Sequence, residues 1–199
     1  MSALVFPIGQ YGGVRPGEGD APEHVVRVGW SQHRIGADAF AVWVMAHGLP
    51  EGGKGAWTVD DVLKQADQSD VDDPAMQVER LADAGLLAVV EDNSLLATQF
   101  AQRHRLDVLF IGLGNAPDRL DGHAVGIPGL GTAAILDPDC YELWQWGSVA
   151  PTLWHSCEVR ATVTARLGQT AEPVDALAEI LGDLRYLLAH GCVCLDVAG

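Results

Sequence analysis

Five residues have the side chains to hold a metal or attack a carbon: His155 and Cys157 in WHSC, and His190, Cys192 and Cys194 in HGCVC. A zinc site needs four convergent nitrogen and sulfur donors, commonly with two residues between thiolates. Here the spacing opposes convergence. Cys192 and Cys194, on a predicted strand, have one residue between them instead of two. His155 and Cys157, two apart on a predicted helix, diverge. A reactive thiol would need a basic neighbour, which the sequence does not place. All four cysteines, at 140, 157, 192 and 194, are therefore read as reduced, buried thiols, and no metal is expected.

Two glycine runs invite a phosphate-loop reading, Gly112-Leu113-Gly114-Asn115 and Gly126-Ile127-Pro128-Gly129-Leu130-Gly131. The first is not followed by a predicted helix. The second has proline inside it and no Lys-Ser/Thr after it. Both read as turn glycines. No nucleophile elbow, zinc-protease helix or paired-carboxylate arrangement stands out. No catalytic residue is assigned, no cofactor is expected, and the chain is read as a non-enzyme.

The elements that would carry a site follow from periodicity. Residues 1–23 hold five Gly and three Pro and read as an irregular arm. Val25–Trp30 reads as a strand rich in β-branched residues. A helix follows over Ala37–His47, with Phe40, Trp43 and Val44 on one face and Gly48 and Pro50 ending it. After a loop (LPEGGKGAW), Thr58 caps a second helix whose stripe is Val59, Val62, Leu63 and Ala66. Asp73-Pro74 opens a third, with Val78, Leu81 and Ala82 inward and Gly85 as its stop. Leu86–Val90, a turn at Glu91-Asp92-Asn93 and Ser94–Leu96 read as a hairpin.

Leu95–His104 reads as a fourth helix and Leu106–Ile111 as a buried strand, with the glycine-rich run to Gly131 as loop. Thr132–Leu136 reads as a strand, and Pro138–Trp146, Pro151–Arg166 and Pro173–His190 as helices. In the last, Leu177, Ile180, Leu181, Leu184, Leu187 and Leu188 keep helical spacing. Val193, Leu195 and Val197 alternate as a closing strand. The second half echoes the first: Tyr141–Trp144 matches Phe40–Trp43, and Leu187–Cys192 matches Leu81–Leu86, at offsets of 101 and 106. One inserted loop would absorb the difference, so a diverged tandem repeat is expected.

With 48% apolar residues and six Trp among 199, the chain can build a substantial core. No stretch approaches the roughly 20 apolar residues of a membrane span. The amino-terminal MSALVFPIGQYGG has no secretory pattern, so a cytoplasmic setting is expected. Net charge is −15, with lysine only at 54 and 64. Such a surface repels phosphate backbones.

The order strand, three helices, hairpin over Val25–Leu96, and above all VERLADAGLLAVVEDN, resembles the winged helix-turn-helix superfamily. The expected fold is α+β: two tandem winged-helix domains, each a three-helix core with a β-hairpin wing. Residues 24–105 would form the first and 132–199 the second, with 106–131 as connector. The segment from His47 to Leu87 is similar to PqqD-like peptide-recognition domains, although His47-Gly48 replaces their acidic-Gly pair and the loop before Thr58 is longer. A DNA-binding winged helix lays its third helix in the major groove. Here that helix carries Asp73, Glu79 and Asp83 against Arg80, and its second-half counterpart carries Glu172, Asp175, Glu179 and Asp183 against Arg185. Both are acidic where a duplex would lie. The resemblance implies instead a peptide or protein partner added as a strand beside the first sheet and packed on the third helix. Arg27, Trp30, Gln77 and Arg80 are the expected contacts. The alternatives are a DNA-binding regulator, with Arg103 and Arg105 of Gln102-Arg103-His104-Arg105 meeting phosphate or an acidic partner, and an acidic mimic that fills a basic site elsewhere.

Overall fold

Leu4–Pro7 forms a strand, β1, although sequence reading leaves it in an irregular arm. Val5, Phe6 and Pro7 are all buried, and a strand covered on both faces is a continuous apolar run without alternation. The computed structural model describes residues 3–17, 21–91, 94–168 and 170–199. Two further strands, β2 (Gln10–Pro16) and β3 (Pro22–Val28), lead to β4 (Ser31–Ile35) in an antiparallel meander of order β2-β3-β4. Three helices follow, α1 (Ala37–Met45), α2 (Val59–Asp67) and α3 (Pro74–Asp83), and then β5 (Leu87–Val90) returns to pair with β1, Val5 opposite Val89.

The caps are those read from sequence. Thr58 Oγ1 accepts from Asp61 N–H at 3.3 Å while Asp61 Oδ2 accepts from Thr58 N–H at 2.9 Å, a reciprocal capping box. Asp73 accepts from Met76 N–H at 3.3 Å with Pro74 at the first helical position.

After α4 (Ser94–Arg103) the order recurs. It runs β6 (His104–Val108), the meander β7 (Ile111–Ala116), β8 (Arg119–Ile127) and β9 (Gly131–Leu136), the helices α5 (Pro138–Gly147), α6 (Leu153–Arg166) and α7 (Pro173–Ala189), then β10 (Val193–Val197). That last strand pairs with β6, as β5 does with β1. The correspondence extends to single residues. Each meander has a bulge at a glycine, Gly13 at φ 96° and Gly114 at φ 98°, a backbone region that side chains avoid. His24 stacks on Phe40 at 3.8 Å, and His123 on Tyr141 at 4.1 Å. Leu86 N–H donates to Leu81 O at 2.8 Å, and Cys192 N–H to Leu187 O at 2.9 Å.

The fold is α+β, but several expected pieces differ. Ser94–Leu96 begins α4 and is not the second arm of a hairpin, so β5 pairs with β1. The turn residues Asp92 and Asn93 lie outside the described residues. Each three-stranded sheet precedes its helices. The stretch 106–131 is not a connector but most of the second meander; its bulge glycines mimic loop composition. Val44 of α1 is exposed, and Val42 lies buried beside Trp43 instead. Four successive residues of β10, Val193 to Asp196, are buried, so it does not alternate.

The two halves share their interior. One core gathers Val5, Val26, Val42, Trp43, Val62, Val78 and Leu81 within the first half. The larger one draws Phe6 of β1, Ile8 just after it and Val90 of β5 in among Leu106, Leu143, Leu184 and Leu187 of the second. Fully burying each such side chain contributes about 2 kcal/mol.

Candidate functional site

The outer edge of β4 carries no neighbouring strand among the described residues. An open edge offers backbone N–H and C=O groups to an incoming chain. At its carboxyl end, where Ile35 hands over to Gly36 and α1, a cavity of about 300 Å³ opens between that junction and α3. Gly36, Ala37, Ala39 and Ala84 make its lining shallow and small, with Leu81 beneath and Gln77 and Arg80 along the α3 wall. These positions converge because Gln77, Arg80, Leu81 and Ala84 occupy one helical face at i, i+3, i+4 and i+7.

The side chains at this groove are held differently. Gln77 is buried to 9% exposure, and its amide donates to Asp72 O at 3.4 Å. Arg80 is exposed and makes no ion pair with a described residue. Arg34, on β4, pairs loosely with Glu23 at 3.5 Å, and Asp38 stands in the first turn of α1. An extended segment could therefore hydrogen-bond to β4 and lodge one side chain over the alanine floor, with Arg80 beside it.

Of the four expected contacts, the structure brings Gln77 and Arg80 together and sets the other two apart. Arg27 turns toward the opposite end of the chain. Its guanidinium donates to Gly29 O at 2.8 Å, Gln10 Oε1 at 3.0 Å and Asp196 Oδ2 at 3.4 Å, tying β3 to β10. Trp30 sits at the β3–β4 turn, 105% exposed. Five residues of strand separate it from Ile35, roughly 17 Å. It is neither core nor part of the groove wall.

The alternative basic stretch is also dispersed. Arg105 belongs to β6, not to a helix, and pairs with Asp107 at 2.6 Å, which raises its pKa. Arg103 is exposed at the end of α4. Two charges of α7 taken as exposed are interior: Asp183 and Arg185 are 2% and 4% exposed. The sequence does hint at them, because a helix as apolar as Leu177–Leu188 has little room for an outer face. The charges left outside on α7, Asp175 and Glu179, are still acidic.

Asp183 and Arg185 form a polar seam between the halves. Asp183 accepts from Lys54 Nζ at 2.6 Å and from Arg160 Nη2 at 3.0 Å. Burial works against the Lys54 charge, but Asp137 and Asp183 outweigh it and hold its pKa above the ordinary lysine value. Arg185 reaches the carbonyls of Val5, Ala46 and His47, each at 3.2 Å, and burial lowers its pKa to about 10.

The cysteines are buried free thiols. Burial raises Cys157 and Cys194 to about 11, Cys192 to about 12 and Cys140 further still. At neutral pH none supplies the thiolate that nucleophilic attack requires. His155 lies at the surface, 3.4 Å from Glu158, and His190 Nδ1 meets Tyr186 O at 2.9 Å. Among the described residues no three His, Cys, Asp or Glu side chains gather as metal ligands, and no helix is long and apolar enough to cross a membrane. No protein-family model, curated protein or solved structure matches this chain.

Proposed function

We propose that this chain is a non-enzymatic binding module that takes an extended peptide, or an exposed strand of a partner protein, along the outer edge of β4. Backbone pairing would supply affinity and the cavity against α3 would supply selectivity. The observation that carries this reading is the adjacency of an open strand edge to a cavity walled by Gln77, Arg80, Leu81 and Ala84, with Ile35 common to both. It agrees with what the resemblance to PqqD-like domains implies. A DNA-binding role is weaker: Glu79 and Asp83 are exposed on α3, and Arg105 is already engaged by Asp107.

Synthetic peptides from small proteins encoded beside this gene, titrated into isotope-labelled protein, test the proposal. A bound peptide should move the amide signals of residues 31–35, 77 and 80 and slow hydrogen exchange along β4. Shifts confined to other surfaces would overturn it. So would salt-sensitive micromolar binding of random duplex DNA with no peptide uptake.

A further inference from the structure

The junction of β9 with α5, and the side of α7 that faces it, correspond in the second half to the walls of the first groove. The matched helix ends at Leu81–Leu86 and Leu187–Cys192 set Gln77 against Asp183 and Arg80 against Tyr186. Ile35 pairs opposite His24 and Leu136 opposite His123, so the helix caps Gly36 and Asp137 also correspond. Unlike the first groove, the second is bridged by a side chain. Lys54, from the long loop between α1 and α2, puts its ammonium 2.6 Å from both Asp137 and Asp183. The loop backbone runs close over α7, where a Cβ on Gly182 would lie 3.3 Å from Lys54 O. Tyr186 completes the closure, its hydroxyl donating at 3.2 Å to Ile135 O on β9.

We infer that the groove between β9 and α7 is a second segment-binding site, for a chain bearing a lysine, and that Lys54, on the 49–57 loop of the same protein, occupies it. The charge pattern supports this occupant. The first groove has Gly36, Gln77 and Arg80 where the second has Asp137, Asp183 and Tyr186, so two facing carboxylates suit the second to a cation. Asp183, 2% exposed, needs compensation for its burial, and Arg160 supplies only part of it. A tethered occupant acts at an effective concentration in the millimolar range and shuts out free segments. The native chain thus keeps one open groove and one closed by itself. The inference rests on the peptide-binding reading of the first groove for its analogy, but its site is separate.

The probe is a fluorescently labelled synthetic peptide, LPEGGKGAW, followed by anisotropy. Lys54→Met should bind it about tenfold or more tightly than the native chain, because the tethered competitor has lost its charge. Lys54→Arg should behave as the native chain. Adding Asp183→Asn to Lys54→Met should abolish the gain. Equal binding to the native chain and Lys54→Met would overturn the inference, as would a gain that survives Asp183→Asn. Should Lys54→Met fail to fold, amine acylation of the native chain decides: Lys54 should react about tenfold more slowly than the exposed Lys64, and equal rates would overturn the inference. Binding of LPEGGKGAW without uptake of any peptide at β4 would sink the first-groove reading and leave this one standing.

Discussion

Arg185 donates from both Nη atoms to the carbonyl oxygen of Ala46, each at 3.2 Å. That oxygen lies at the carboxyl end of α1, where carbonyls have no partner within the helix. A residue of α7 thus caps a helix of the other half. Its guanidinium also lies 5.6 Å from the Phe6 ring centre. Arg185→Leu should lower stability by about 3 kcal/mol, since buried carbonyls at Val5, Ala46 and His47 lose their donor. Urea unfolding measures this; a loss under about 1 kcal/mol would mean that water replaces the side chain there.

His47 lies beside that contact, its ring edge-on to Trp43 at 4.6 Å. Burial lowers its pKa from 6.5 to about 4. The unfolded chain therefore binds a proton at a higher pH than the folded one. The His47 contribution should be complete above pH 7, fall as pH drops from 6.5 to 4, and level below 4, with a total of about 3 kcal/mol. His104, also lowered by burial, adds in the same direction. Urea midpoints across this range should flatten in His47→Gln; an unchanged slope would rule His47 out.

The two equivalent tryptophans differ in one bond. Trp43 Nε1 donates to Ile8 O at 3.2 Å, whereas Trp144 Nε1 is buried with no hydrogen-bond partner among the described residues. Trp43→Phe should therefore cost about 1 to 2 kcal/mol more than Trp144→Phe. Thermal unfolding of the pair is the check, and equal losses would refute the assignment.

Arg27 and Arg80 should separate cleanly. Arg27→Ala should lower stability by about 1 kcal/mol, modest because Arg27 is half exposed and Asp196 keeps the Gly29 and Val197 amides as donors. Peptide uptake at β4 should not change. Arg80→Ala should weaken uptake several-fold and leave the melting temperature within about 2 °C. A reversed pattern would relocate the site.

Helices and their caps were readable because Thr58, Asp73 and Pro173 act locally on a few neighbouring amides. The repeat was readable for the same reason, since Gly85 and Gly191 end equivalent helices. What the residues did not disclose is long-range. Val5 finds Val89, and Leu106 finds Leu195, across most of each half, and local periodicity carries no record of such pairing. Glycines that bulge a strand look like glycines that turn a loop, so the second meander was hidden. Gln77 and Arg80 lie together because α3 fixes their spacing. Arg27 was misplaced because its direction depends on Asp196, at the far end of the chain.

Because Phe6, Ile8 and Val90 lie in a core built mainly by the later half, and Lys54 bridges two of that half's carboxylates, the two portions should lose structure as one unit. Denaturation should erase both together, in one sigmoidal transition. Repetition here has come with a shared interior, and a lesion in either copy should be felt by its twin.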